Sequence, residues 1–277
     1  MVKARLLAAL VFVAGSPAFA DTPTREKLEL VERISKADGT EQQLAALGEG
    51  IIQGIKPHAA KLSNAASAAL YSSMAEQFDG SQLFEEYEVS LMGHIQQPEV
   101  VAVLPWYDSA TGKKICELRR QANSGEAATG LKAYAAGLQA KPATPARAKL
   151  IHELDSVTKA SELLVDITVN ATAGILAGIA TAQEKTTRAK VTQMRKELAE
   201  LRKKIGPKIQ KSIFLTFLYT YRNASDGELS EYVAFLRSKA GAALSDATYL
   251  ALNDTLKKAA QNVGLAVGEV GKVKAEH

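Results

Sequence analysis

The sequence predicts an all-α helical bundle built from two tandem, sequence-related helical units. Three observations lead there. Alanine, leucine, lysine and glutamate dominate a chain of 277 residues, and these are among the residues a helix costs least. No run alternates β-branched and polar residues between turn signals, so no segment is a candidate strand. Three groups of residues then recur in the same order at nearly constant separation, the signature of an internal repeat.

The first element is set apart from the bundle. Lys3 and Arg5 precede an unbroken apolar stretch from Leu6 to Ala14, and Ala18-Phe19-Ala20 closes the segment with small residues at the cleavage positions. Charged, apolar and small-residue regions in that order make residues 1–20 a secretory signal peptide, cut after Ala20. The apolar stretch is about half of the roughly 20 residues a permanent membrane helix needs. No cysteine lies near the junction to carry a lipid, so the expectation is a free protein exported to the periplasm, with no transmembrane anchor in the mature chain.

Removal of that segment takes two of the 34 basic residues and none of the 30 acidic ones, leaving a net charge of +2 where the whole chain has +4. So small an excess gives no global reason for nucleic-acid binding. The one cysteine, Cys116, has no internal partner for a disulfide. The fold must therefore hold by apolar packing, with Cys116 as a small, partly buried residue.

The first unit is assigned to residues 21–120 and the second to 144–265. A linker at 121–143 containing a short helix joins them, and a tail occupies 266–277. Thr22-Pro23-x-Arg25-x-Lys27-Leu28 is matched by Thr144-Pro145-x-Arg147-x-Lys149-Leu150, 122 residues later. Threonine caps a helix and proline suits its first turn, so both units open on a helix start. The pair Gly50/Gly54 is matched by Gly174/Gly178 at a separation of 124. Glycines four apart share a helix face and let another backbone approach closely. In a membrane the same spacing pairs helices, but Asp166, Asn170 and Gln183 make the second copy too short and too polar to cross one. Finally Glu99, Trp106, Ser109 and Gly112 are matched by Glu228, Phe235, Ser238 and Gly241 at 129. Ser225-Asp226-Gly227-Glu228 fits a capping box. Trp106 and Phe235 are apolar anchors near the end of a short helix, and Ser109 and Ser238 cap the next one.

An exported helical chain whose unit ends in aromatic-x-x-Ser-x-x-Gly, here Trp106 to Gly112 and Phe235 to Gly241, resembles the bacterial envelope proteins of domain-of-unknown-function family 2059. Counting both copies, the resemblance covers most of the mature chain. The first copy departs from the pattern at Pro105 and in its Gln96-Gln97-Pro98 start. The resemblance implies export and an α-helical fold, and it supplies no catalytic residue.

Candidate sites are few. Residues 184–211 carry ten Lys and Arg against three Glu. Their apolar residues Val191, Met194, Leu198, Leu201 and Ile205 fall on one helix face, with Arg195, Lys196, Arg202 and Lys203 among the cations elsewhere. Such a surface could meet anionic lipid or an acidic partner, although a solvated helix face is the ordinary reading. His58, His94, His152 and His277 form no ligand pair, and His152 with Asp155 supplies two ligands where zinc wants three or four, so no metal site is expected. Glu85, Glu86 and Glu88 read as a solvated acidic face. Asn170-Ala171-Thr172 and Asn223-Ala224-Ser225 fit the glycosylation pattern but carry no weight in a helical, bacterial-type setting. There is no nucleophile elbow, phosphate loop or Cys-His pair, and no cofactor is expected.

Two functions follow. One is a non-enzymatic binding or scaffolding protein of the envelope, whose partner is another protein, an anionic membrane surface or a second copy of itself. The other is a hydrolase-like enzyme with a dispersed active site between the units. A buried cleft with ionisable groups converging from both units marks the enzyme; a filled core with an exposed apolar groove marks the binding protein.

Overall fold

Thr24, and not Thr22, begins the first helix. In the computed structural model, which describes residues 24–59, 64–123, 127–182 and 188–273, the Thr24 hydroxyl accepts the amide of Lys27. The signal segment and the tip of the tail lie outside the described residues. Twelve helices and no strand occur among them. The first unit contains α1 (Arg25–Asp38), α2 (Thr40–Ala59), α3 (Asn64–Gln77), α4 (Gly80–His94), α5 (Gln97–Asp108) and α6 (Ala110–Ala122). The expected linker helix is α7 (Ala127–Ala140). The second unit contains α8 (Pro145–Thr158), α9 (Ala160–Ala182), α10 (Arg188–Thr220), α11 (Asp226–Arg237) and α12 (Lys239–Val273).

Local geometry recurs at the helix ends. Thr24 and Thr144 both cap through the amide three residues on. Gly39 and Lys159, each 15 residues after its cap, turn the chain in the left-handed region at φ of 67° and 52°. Glycine enters that region freely, whereas lysine does so against the clash of its Cβ. Glu99 and Glu228 each close a capping box, on Gln96 and Ser225. Ser109 and Ser238 each terminate one helix and cap the next, accepting the amides of Gly112 and Gly241. A Cβ on either glycine would run into the carbonyl of Trp106 or Phe235, which is why a corner this tight takes glycine.

Packing runs in parallel too. α1 packs on α4, α5 and α6, and α8 packs on α10, α11 and α12. α2 lies on α4 as α9 lies on α10. The close approaches differ from the expected ones. Gly174 does meet a neighbour, the backbone of α12 at Ala260 and Gln261, and Gly264 answers it against the carbonyls of Gly174 and Ile175. Gly50 faces open space, however, and the contact on α2 is made two residues earlier by Gly48 against Phe78. The surroundings of Gly54 and Gly178 lie outside what is described.

Two further differences concern length. α12 continues through Val273, with Val267 buried, so residues 266–273 extend the helix where a tail was expected. α9 includes a stretch, Ala160–Ala177, that is long and apolar enough to cross a membrane, despite Asp166 and Asn170. In the fold it lies along α12, with Asp166 accepting from Arg202 and Tyr249 and Asn170 donating to Asn253. α12 also packs on α3 and α4, so the main core mixes Leu70, Met74, Phe78 and Leu83 with Leu256, Val263 and Val267. A second core joins Ile115 and Leu118 to Ile151, Leu154, Leu218 and Leu229. The two units share both cores.

Candidate functional site

The aromatic anchors meet. Trp106 and Phe235 stack with ring centroids 4.7 Å apart and planes within 5°, and Tyr232 stacks on Trp106 at 5.6 Å. Around this stack α6 reaches α11 through Lys114 to Glu228 (2.8 Å) and Thr111 to Glu231 (2.6 Å). In the opposite sense, α5 packs on α12. Beside this crossing of helix ends lies a cavity of about 360 Å³ with residues from both units in its wall.

Its charged groups belong to the first unit, while the second contributes hydroxyls such as Thr220, Ser245 and Tyr249. Asp38, the last residue of α1, is held in the wall by the αL turn at Gly39. Its carboxylate accepts Arg119 Nη1 at 2.6 Å, the Tyr107 hydroxyl at 2.8 Å and the Cys116 thiol at 3.4 Å. The Asp38 and Arg119 side chains keep only 15% and 23% of their surface exposed. A carboxylate so buried is tolerable because three donors, one of them a cation, satisfy it. Arg119 is less fully used. Its Nη2 has a long contact of 3.5 Å to Gln43 Oε1, which leaves donor capacity toward the cavity.

Electrostatics fix the protonation of the remaining groups. Burial, then the Asp38 carboxylate, pushes the Cys116 thiol up to about 12 and the Tyr107 hydroxyl well above its ordinary range. Burial also raises Tyr221 and Tyr232, which are hydrogen-bonded to each other. At neutral pH these groups are neutral donors, and the cavity's one carboxylate is neutralised by its one guanidinium. The thiol is therefore no nucleophile, since attack needs the thiolate. Among the described residues no histidine lines the space.

Of the residues singled out in the sequence, Trp106 and Phe235 line this cavity, while Ser109, Gly112, Ser238 and Gly241 shape the corners beside it. Asp38, Arg119, Tyr107 and Gln43 were not singled out. Arg119 stands 81 positions from Asp38 in sequence, and no spacing rule joins them.

The basic helix stands apart. Val191, Met194, Leu198, Leu201 and Ile205 are half-buried on α10, which packs on α9, and Arg195, Lys196, Arg202 and Lys203 are exposed. Arg202 pairs with Asp166 and Lys203 with Glu200. Lys204, Lys208 and Lys211 form an exposed ridge at four- and three-residue spacing and make no ion pair among the described residues. Of the acidic trio Glu85 is exposed, as expected, and the other two are more embedded. Glu86 pairs with Lys258, and Glu88 is half-buried with its carboxyl raised by burial and by nearby Glu32. His94 bonds Asp254 and His152 stacks on Phe214; no group of three metal-ligating side chains converges among the described residues.

Compared with family models, with curated proteins and with solved structures, the chain has no match.

Proposed function

We propose that this is an exported, non-enzymatic binding protein that holds a small molecule in the cavity between two duplicated helical units. The observation that carries the reading is the cavity itself. A space of about 360 Å³, walled by stacked aromatics and ending on a neutralised Asp38–Arg119 pair, has the size and the mix of apolar wall and few polar groups typical of ligand sites. Ionisable groups converge there from both units, the arrangement named above as the mark of an enzyme. Their state favours binding: Cys116, Tyr107, Tyr221 and Tyr232 are held protonated and Asp38 is engaged by Arg119, so none of these five is poised as a base or nucleophile. Export rests on residues 1–20, and kinship with family 2059 on the two aromatic-x-x-Ser-x-x-Gly corners.

Trp106 is the chain's one tryptophan and part of the cavity wall, so its fluorescence reports occupancy. Native mass spectra of protein purified from its producing cell should show a bound small molecule, whose removal shifts the Trp106 emission. Spectra of the bare chain, with emission indifferent to cell extract, would remove this reading. Release of p-nitrophenol from a p-nitrophenyl ester, lost in Arg119→Met, would move the assignment to a hydrolase.

A second reading applies to the surface. The unpaired ridge Lys204–Lys208–Lys211 favours docking of α10 on an anionic bilayer, where each lysine near the surface contributes about 1 kcal/mol. Lys204→Gln/Lys208→Gln/Lys211→Gln should lower partitioning onto phosphatidylglycerol vesicles about a hundredfold at low salt. The matched triple Lys113→Gln/Lys239→Gln/Lys257→Gln should change it little. Equal losses in the two triples would reduce the effect to net charge.

A further inference from the structure

At four pairs of positions the cavity wall is chemically lopsided in a regular way. The helix start at Thr24 recurs at Thr144, 120 positions later, and the corner at Ser109 recurs at Ser238, 129 later. Carried along the wall, those two offsets pair residue with residue. Asp38 is answered by Thr158 and Gln43 by Leu163, both 120 positions on. Arg119 is answered by Thr248 and Asn123 by Leu252, both 129 positions on. Every one of these residues lines the same cavity, so the two units present equivalent positions to one space. Charge and amide groups occupy the first unit's positions, and leucine or a lone hydroxyl occupies the second's.

From this we infer that the occupant is a neutral, medium-sized amphiphile lying across the boundary between the units. Its hydrogen-bonding head sits at Arg119 and its apolar body runs against Leu163 and Leu252. The inference rests on the binding role proposed above and names the class of molecule bound. Three features define the class. The wall disfavours a molecule with a strongly polar head at both ends, because its charged and amide groups stand on the first unit's side, while Leu163 and Leu252 are joined only by hydroxyls such as Thr158, Ser245 and Tyr249. The head is an acceptor, because Asp38 is already filled by Arg119, Tyr107 and Cys116 whereas Arg119 retains donor capacity at Nη2. The head carries no charge, because the pair it joins is already neutral and a second carboxylate beside Asp38 would be repelled across a low-dielectric space.

Titration of Trp106 emission with three probes tests the class: octanamide, which is neutral and amphiphilic; octanoate, with the same chain and a charged head; and maltose, polar throughout. Octanamide should bind saturably, with octanoate at neutral pH at least tenfold weaker and maltose without effect. Leu163→Gln, which places on the second unit the amide that Gln43 supplies to the first, should weaken octanamide at least tenfold. Leu163 is only half-buried, and the variant's fold is checked by circular dichroism. Tight binding of octanoate or maltose, or an indifferent Leu163→Gln, overturns the class while leaving the cavity a binding site. Failure of all three probes on a protein whose native spectra show a bound molecule also overturns the class. Bare native spectra overturn the binding role with it.

Discussion

Asp38 concentrates more of the molecule's polar chemistry than any other side chain. Removing one partner of a buried ion pair strands the other, at a cost of about 3 kcal/mol. Asp38→Ala should therefore lower the urea-unfolding free energy by about that amount, since it strands Arg119, Tyr107 and Cys116 together. Adding Arg119→Met should recover part of the loss, and strictly additive effects would show that the pair is not coupled. Cys116 should resist iodoacetamide in the folded protein at mildly alkaline pH and react on unfolding, because its thiol is pushed up to about 12 and the residue is buried. Fast labelling of the native state would contradict that environment. Glu88 gives a pH signature. Its carboxyl is raised in the fold, first by burial and then by Glu32, so the folded state holds the proton more tightly than the unfolded chain. The stability tied to it is complete below the ordinary carboxylate range and is lost as pH rises through the raised value. Glu88→Gln should accordingly raise the melting temperature at neutral pH and leave it unchanged in acid; a fall at neutral pH would refute the assignment.

At the scale of helices and corners, local chemistry was readable and partnership was not. The Ser225 capping box, the serine caps at 109 and 238 and the glycines behind them depend on residues three or four positions apart, and a sequence shows those directly. The glycine pairs were read for what they permit, close approach, but only the other helix determines whether the approach occurs. Gly174 meets α12, while Gly50 meets nothing and Gly48 takes its place. This separates two substitutions of the same kind. Gly50→Ala should stabilise by up to about 1 kcal/mol, the helix propensity gained where a methyl has room. Gly241→Ala should destabilise by about 1–3 kcal/mol, because the methyl collides with the Phe235 carbonyl and the corner must open. Similar thermal shifts for the two would show that the corner tolerates what its geometry forbids. The αL turn at Lys159 is not legible in the sequence as the one at Gly39 is, since lysine gives no sign of positive φ.

At the scale of the whole molecule, the all-helical class followed from composition, and the cavity did not. Asp38 and Arg119 are unremarkable residues near the ends of amphipathic helices. They become a site only because the units cross at Trp106 and Phe235, and that crossing is a long-range fact no local pattern encodes. The division into consecutive units was likewise a reading of similarity, whereas burial is organised otherwise. Leu70, Met74, Phe78 and Leu83 of the first unit are enclosed with residues of α12, at the far end of the chain.

That last arrangement bears on how the protein is made. Contacts between residues near 70 and residues near 260 close one of the longest loops the chain allows, and such contacts form late. Synthesis delivers α12 after everything it must cover. Until Lys239 and its successors emerge, the apolar faces of α3 and α4 lack their lid, and the growing polypeptide has no finished interior to lock. Under the export proposed above, the chain must stay threadable until it has crossed, and the helix that ends threadability arrives only after those it covers.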